Sequence, residues 1–293
     1  MSPLPRSKRN HCHCGSLHVS LNFSMASNQT ARGMAIAIEV PRLTAETFLR
    51  YAEWLDRVNS TNDLALKFAR LPSILLPVLI GADRQTAGRG RGAHQWWSAE
   101  GSLMFSIIVD MPGVGLRPAD WPRFSLVTGL AIADALSLFL PSARIGVKWP
   151  NDVWLDDRKV CGILIEQSDL IPDRLIVGIG LNVNNSFSAA PRQQQVTATS
   201  MIDASNGKEF CRTEILIAFL NEWESLIEDL SQGRLNLPER WSRRCVLAGH
   251  PVTLSEGERE TIGVCSGIDD DGALLLRTEF ATEKHYAGTV RRM

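Results

Sequence analysis

The run Gln85-Thr86-Ala87-Gly88-Arg89-Gly90-Arg91-Gly92 sets three glycines and two arginines into five consecutive positions between apolar stretches. Glycine admits positive φ and brings backbone N–H groups close to a ligand. Arginine offers a planar fork of donors that matches carboxylate and phosphate oxygens. The run therefore has the chemistry of a loop wrapped round an anion. Alone, it reads equally well as a mobile basic turn or as a Gly/Arg segment that binds RNA. Its neighbours place it in a folded domain: residues 74–80 are apolar, Trp96-Trp97 follow, and 103–109 reads as a buried strand.

At 293 residues the chain suits one catalytic domain and a small second one, each able to bury a core. Its 31 basic and 32 acidic residues nearly cancel, so there is no global electrostatic case for nucleic acid. Local arginines must carry any anion binding. No stretch approaches about 18 uninterrupted apolar residues, and no compact apolar run follows the basic N-terminus. Neither a membrane span nor a secretory signal is expected, and a cytoplasmic location follows. Cysteines at 12, 14, 161, 211, 245 and 265 are sparse and sit mostly in apolar patterns, as reduced core thiols do. Residues 1–33 carry Arg6, Lys8, Arg9 and Arg32 without an acid and show no sustained period, which reads as a tail. Its His11-Cys12-His13-Cys14 cluster, with His18 nearby, lacks the second distant pair of a structural zinc site, and Met25 and Met34 are alternative starts.

From Ser60 the pattern is helical, with Leu64, Phe68 and Leu71 at i, i+4 and i+7, Ser60 and Asp63 as a capping box, and Pro72 as the stop. Helices are also expected over 122–139 and 213–230, the latter with Leu216, Phe219, Leu220, Trp223, Ile227 and Leu230 on one stripe. Strands read near 144–149, 160–167 and 174–183, several separated by short turns. That spacing favours a mixed or antiparallel sheet over repeated βαβ units, so the class is α+β. After Cys245 come short runs, Val252-Thr253-Leu254, 262–268 and 273–277, with Asp271-Gly272 as a hairpin signal. A small β-barrel is expected there.

Three further blocks are more specific: Lys148-Trp149-Pro150-Asn151-Asp152; Asp157-Arg158-Lys159-Val160-Cys161-Gly162-Ile163-Leu164-Ile165-Glu166; and Gly178-Ile179-Gly180-Leu181-Asn182-Val183. With Ser60-Thr61-Asn62 and the Gly/Arg loop they make five ordered blocks, and from about residue 51 onward the chain resembles the biotin protein ligases. Lipoate ligases share the fold but lack the Gly/Arg loop. The resemblance implies a class II synthetase-like catalytic domain over 41–244, a mixed or antiparallel sheet with packed helices. It also implies a C-terminal SH3-like barrel over 245–293 and a tail over 1–40. That tail lacks the paired amphipathic helices of a winged-helix repressor, so a monofunctional enzyme is expected. Two departures stand out: Ala93 where the family has glycine and His94 where it has arginine, although Trp96 keeps its place. A family arginine near the C-terminus does not land cleanly on Arg291 or Arg292.

What the resemblance implies chemically is a two-step reaction. Biotin's carboxylate attacks the α-phosphate of ATP, giving biotinyl-5′-AMP and pyrophosphate, and a lysine of a biotin carboxyl-carrier domain then attacks the mixed anhydride. Both steps gather negative charge, so placed cations and backbone donors are expected. Lys159 and Arg89 are the candidate catalytic residues, against the plainer reading of Lys159 as an exposed strand-end lysine. Ser60, Thr61, Asn62, Gln85, Arg89, Gly90, Arg91, Lys159 and Gly162 are the candidate biotin-binding residues. Ser60 and Thr61 also suit helix capping, and Gly162 an ordinary bulge. Arg91, Trp96, Lys148, Asn151 and Asn182 are the candidate ATP-binding residues. Mg²⁺ is expected to travel with ATP, held by phosphate and water, with no protein ligand. The expected partner is the carrier domain of a carboxylase, without nucleic acid or membrane; monomer or homodimer is left open. The competing readings are lipoate or octanoate transfer on the same fold and a nucleic-acid module built on the Gly/Arg loop.

Overall fold

A computed structural model describes residues 37–92 and 94–293. The tail expected before them, with its His/Cys cluster, and Ala93 lie outside the described residues. Ala35–Met293 form one compact unit. In chain order its helices and strands are α1 (Val40–Glu46), β1 (Tyr51–Val58), α2 (Thr61–Ala69), β2 (Val78–Gln85), β3 (Leu103–Asp110), α3 (Trp121–Phe139), β4 (Ile145–Lys148), β5 (Asp152–Leu155), β6 (Arg158–Gln167), β7 (Arg174–Leu181), α4 (Arg192–Thr197), α5 (Met201–Ala204), α6 (Arg212–Ser231), α7 (Leu237–Ser242), β8 (Pro251–Glu256), β9 (Arg259–Ile268), β10 (Leu274–Arg277), β11 (Thr282–His285) and β12 (Thr289–Arg292).

The first seven strands form one sheet in the order β1-β2-β3-β7-β6-β5-β4. Only β1 and β2 pair in parallel; the other neighbours are antiparallel. The sheet is therefore mixed, as the short turns imply, and the class is α+β. Side chains alternate across it with period two. On β7, Leu175, Val177, Ile179 and Leu181 enter the main core beneath α3 and α6, whereas Ile176 packs with Ala65 and Ala69 of α2 on the other face. Gly178 and Gly180 share that second face, and it carries the site.

The helices expected over 122–139 and 213–230 are α3 and α6, and the whole stripe from Leu216 to Leu230 is buried. Trp223 is their shared anchor, 5.5 Å from the Phe124 ring and 5.8 Å from Phe219, with its indole N–H donating to Thr128 Oγ1 at 3.0 Å. Residues 118–139 have the length and hydropathy of a membrane span, but most of that stretch is buried against the protein, as in a core helix. Cys161 and Cys265 are buried free thiols, as expected of most of the cysteines, whereas Cys211 is exposed.

Several elements lie where no sequence signal marked them. Strand β1 is a half-exposed edge strand without clean alternation. Strand β5 reaches β6 through Asp156-Asp157, both at positive φ, a two-residue hairpin turn made without the usual glycine. The C-terminal region holds five antiparallel strands, β11-β10-β9-β8-β12, rather than the three legible runs, an arrangement consistent with the SH3-like expectation. A register shift opposite Leu275/Leu276, with Gly267 at φ 105°, bends β9.

The two sheets are joined through the edge strand. Val147 N–H donates to Arg244 O at 2.8 Å, and Val246 N–H donates to Val147 O at 3.0 Å, so the connecting chain pairs with β4. Just beyond, the Trp149 indole donates to Gly272 O at 3.1 Å. The small sheet thus grips the turn that follows β4.

Candidate active site

A cavity of about 400 Å³ opens on the second sheet face, within the usual range for ligand sites. The N-terminus of α2, the Gly/Arg loop, the 148–152 turn and β12 surround it. Ser60, Thr61, Asn62, Gln85, Arg89, Gly90, Arg91, Trp96, Lys148, Asn151, Lys159 and Gly162, all expected from the sequence, line it together. Asn182 does not. Its side chain is buried, donating to Thr199 O at 3.1 Å and accepting from Asn185 Nδ2 at 3.1 Å. Through these bonds Asn182 ties the end of β7 to the chain entering α5.

Glycines clear the floor. A Cβ on Gly178 would lie 2.0 Å from Asn62 Oδ1, and one on Gly180 would lie 2.4 Å from Trp96 Cε2. Gly162 pairs directly with Gly180, so the Trp96 ring packs against two strands that carry no side chain there. The β5–β6 register then skips a residue: Val153 opposes Cys161 but Trp154 opposes Lys159, leaving Val160 with no partner on β5. Such a bulge re-aims the side chains beside it. Lys159 and Gly162, three apart and destined for opposite faces of a regular strand, both reach the cavity; a Cβ on Gly162 would sit 3.0 Å from Lys159 Nζ. Gly162 itself pairs regularly with Asp152 and Gly180, so the bulge lies at Val160 and not at Gly162. Lys159 Nζ pairs with Asp152 Oδ1 at 2.7 Å and stands 6.0 Å from the Trp96 ring centroid. The sequence reading gave Asp152 no role; its signal was its place at the end of the 148–152 block.

At the other end Ser60 caps α2, accepting from Asp63 N–H at 3.4 Å. Thr61 N–H donates to Gln85 Oε1 at 2.7 Å, which leaves the Gln85 amide nitrogen available to a ligand. Ser106, fully buried on β3, sits 2.8 Å from Thr61 Oγ1 and donates to Asn62 Oδ1 at 2.6 Å. Asn62 Nδ2 donates to Glu166 Oε2 at 2.7 Å and Leu164 O at 3.4 Å. Both ends of the Asn62 amide are bonded within the protein, which fixes the side chain at the cavity wall. Ser106 was missed; a lone serine inside an apolar strand was its signal.

The Gly/Arg loop is a small hairpin. Gly90 N–H donates to His94 O at 2.8 Å, and Trp96 N–H donates to Gly88 O at 3.0 Å. Its two arginines are spent differently. Arg89 donates to both Glu166 oxygens, at 2.7 and 2.6 Å, and pairs with Asp63 Oδ1 at 2.7 Å. Glu166 first, then Asp63, raises the Arg89 pKa above its ordinary value. With its fork engaged on protein carboxylates, the Arg89 side chain ties the loop to β6 and α2 while still lining the cavity. Arg91 reaches only Asn151 Oδ1 and Gly288 O, each at 3.4 Å, and among the described residues pairs with no carboxylate. These contacts face the end of the cavity where Thr289 and Val290 of β12 complete the wall.

The biotin/lipoate A/B protein ligase family model matches residues 54–184. The biotin–[acetyl-CoA-carboxylase] ligase of Paracoccus denitrificans is 33% identical over 231 residues, covering 76% of this chain and 92% of that protein. The chain belongs to this ligase family, on its biotin ligase branch. The Mycobacterium tuberculosis biotin–[acetyl-CoA-carboxylase] ligase is 30% identical, covering 82% of this chain and 88% of that one. The biotin protein ligase of Aquifex aeolicus in complex with biotin and ATP superposes with a TM-score of 0.73 at 29% identity, covering 84% of this chain and all of that one.

The end of the cavity lined by Lys148 and Arg91 is cationic. Lys148 lies 4.8 Å over the Trp154 ring. Burial is the largest influence on its pKa and lowers it; Asp152 opposes the shift, while Lys159 and Arg291 add to it. Arg291, which the sequence did not place, thus acts on the site from β12. Because kcat/KM reports the free enzyme, the alkaline limb of kcat/KM for ATP is expected below the ordinary lysine value of about 10.4, as Lys148 loses its charge with rising pH. Lys148→Arg keeps the cation, so its limb should move to higher pH. An unmoved limb would exclude Lys148 as the titrating group.

Proposed function

We infer that this chain is an ATP-dependent biotin ligase that makes biotinyl-5′-AMP and transfers the biotinyl group to a lysine of a carboxylase carrier domain. One observation carries the reading: a bulge and a pair of glycine-floored strands bring Lys159 into the same cavity as the polar N-terminus of α2. A ring-bearing acid fits between them, its ureido group toward Ser60, Thr61 and Gln85 and its carboxylate toward Lys159. ATP lies toward Lys148, Arg91, Asn151, Trp96 and β12. In the first step a carboxylate oxygen bonds to the α-phosphorus and pyrophosphate leaves. Lys159, held by Asp152, and Lys148 stabilise the charge that builds there. In the second step the carrier amine attacks the acyl carbon and AMP departs.

Asp152 is the one carboxylate among the cavity-lining residues, and it is already paired with Lys159. A Mg²⁺ travelling with ATP would accordingly be held by phosphate oxygens and water. We assign catalysis to 41–244 and closure of the nucleotide end to 245–293. The free, partly buried cysteines suit a cytoplasmic setting, and the mechanism calls on no nucleic acid, membrane or second copy of the chain. The test is ATP–pyrophosphate exchange with biotin, lipoate or no acid. Biotin should support exchange far above the other two; equal or greater exchange with lipoate would transfer the protein to the lipoate reading.

A further inference from the structure

The cavity leaves out an acid that nevertheless governs its loop. We propose that Glu166 is a positioning residue for this reaction: through Arg89 it fixes the Gly/Arg loop over the bound acid, and through Asn62 it locks that loop to the start of α2. The proposal deepens the ligase reading and rests on it for its kinetic consequences.

Glu166 lies on β6 on the same face as Gly162 and Leu164, beyond the cavity wall. Its two oxygens accept from three donors, Arg89 Nη1 at 2.7 Å, Arg89 Nη2 at 2.6 Å and Asn62 Nδ2 at 2.7 Å. The two-pronged pairing constrains both the direction and the plane of the guanidinium, which a single contact does not. Asp63 adds one oxygen at 2.7 Å but its side chain is 46% exposed, against 24% for Glu166. Glu166 is the better screened partner and the stronger one.

The loop's other bonds show why this matters. Gly90 to His94 and Trp96 to Gly88 keep the hairpin's shape, while Thr86 and Ala87 anchor only its base, to Val58 O at 2.9 Å and Asn59 O at 2.8 Å. The Arg91 contacts at 3.4 Å are long. Among the described side chains, the Arg89–Glu166 pair is the short, charged connection between the loop's arm and the sheet. Through Asn62 and Ser106 it continues to β3, so loop and helix N-terminus share one hydrogen-bonded frame.

Removing the frame's charge should loosen retention and leave the chemistry largely intact. Glu166→Gln keeps the volume and an acceptor but forfeits the two-pronged ion pair. Its KM for biotin and its release rate of biotinyl-adenylate should each rise roughly tenfold, the loss of one net charge-assisted interaction discounted for partial exposure. The kcat for adenylation at saturating substrate should stay within a few-fold of wild type. Arg89→Ala should likewise raise the release rate of biotinyl-adenylate, and the release rate of the Arg89→Ala/Glu166→Gln double variant should be no higher than that of the poorer single one. Multiplying effects, or Glu166→Gln kinetics equal to wild type, would overturn the proposal. A second readout needs no ligand: trypsin should cut after Arg91 several times faster in Glu166→Gln than in wild type, at unchanged melting temperature. Equal cleavage rates would also overturn it. If wild type made no adenylate from biotin, the ligase reading would fall, and the trypsin comparison would still decide the tether.

Discussion

Lys159→Ala is expected to lose most adenylate formation, on the order of 100- to 1,000-fold in kcat, the cost of removing one placed donor from a developing oxyanion. The protein should stay folded, because the Lys159 side chain is 34% exposed and leaves no cavity in the core. Part of the loss has a specific origin in this site. Removing Lys159 leaves Asp152, its partner at 2.7 Å, as an unneutralised carboxylate facing the incoming triphosphate. Adding Asp152→Asn should therefore restore some of the rate to Lys159→Ala, while Asp152→Asn alone should slow wild type by letting Lys159 wander. Single-turnover adenylation beside thermal melting separates these outcomes. A Lys159→Ala rate within a few-fold of wild type would reject Lys159 as the charge-stabilising group.

Much of this architecture was legible because the relevant signals are local. Helices α2, α3 and α6 announce themselves through a cap or an unbroken apolar stripe, and β3, β6 and β7 through apolar runs with breaks. Strand β5 was illegible because its hairpin turns on Asp156-Asp157, two residues forced to positive φ without the usual Asn-Gly. Strand β1 was illegible because an edge strand covered on one side needs no strict alternation. The site divides along the same line. Which residues gather in the cavity followed from the ordered blocks, but what each side chain does there depends on register across distant strands. Arg89 and Glu166 are 77 residues apart and Asn62 and Glu166 are 104 apart, so nothing near either residue marks the pairing. The Arg89 tether, and its extension to Asn62, arise from such long-range pairing. The bulge at Val160 is subtler, since one unpaired residue decides whether Lys159 reaches the cavity or the opposite face.

Arg91→Ala is expected to leak. In the proposed reaction the intermediate is a reactive mixed anhydride, and it must stay in the site until a carrier lysine arrives. Arg91 is the loop arginine whose donors no protein carboxylate occupies among the described residues, and it reaches across to Asn151 and to Gly288 at the foot of β12. In the proposed complex its guanidinium would lie over the join between acid and nucleotide, to bond the adenylate phosphate and shield it from water. Losing a charge-assisted hydrogen bond of about 1.5–3 kcal/mol should cut retention by roughly one to two powers of ten. Folding should be nearly untouched, because Arg91 is exposed and buries no core surface. Biotinyl-adenylate would then escape and label lysines on bystander proteins, whereas wild type would modify chiefly its carrier. Arg89→Ala should also leak, but through the tether, with the ATP KM nearly unchanged; Arg91→Ala should raise the ATP KM as well. Stopped-flow or filter trapping of labelled intermediate, with ATP titrations alongside, measures both. Equal release rates for wild type and Arg91→Ala would remove the loop from the role of lid and leave it a mobile basic turn.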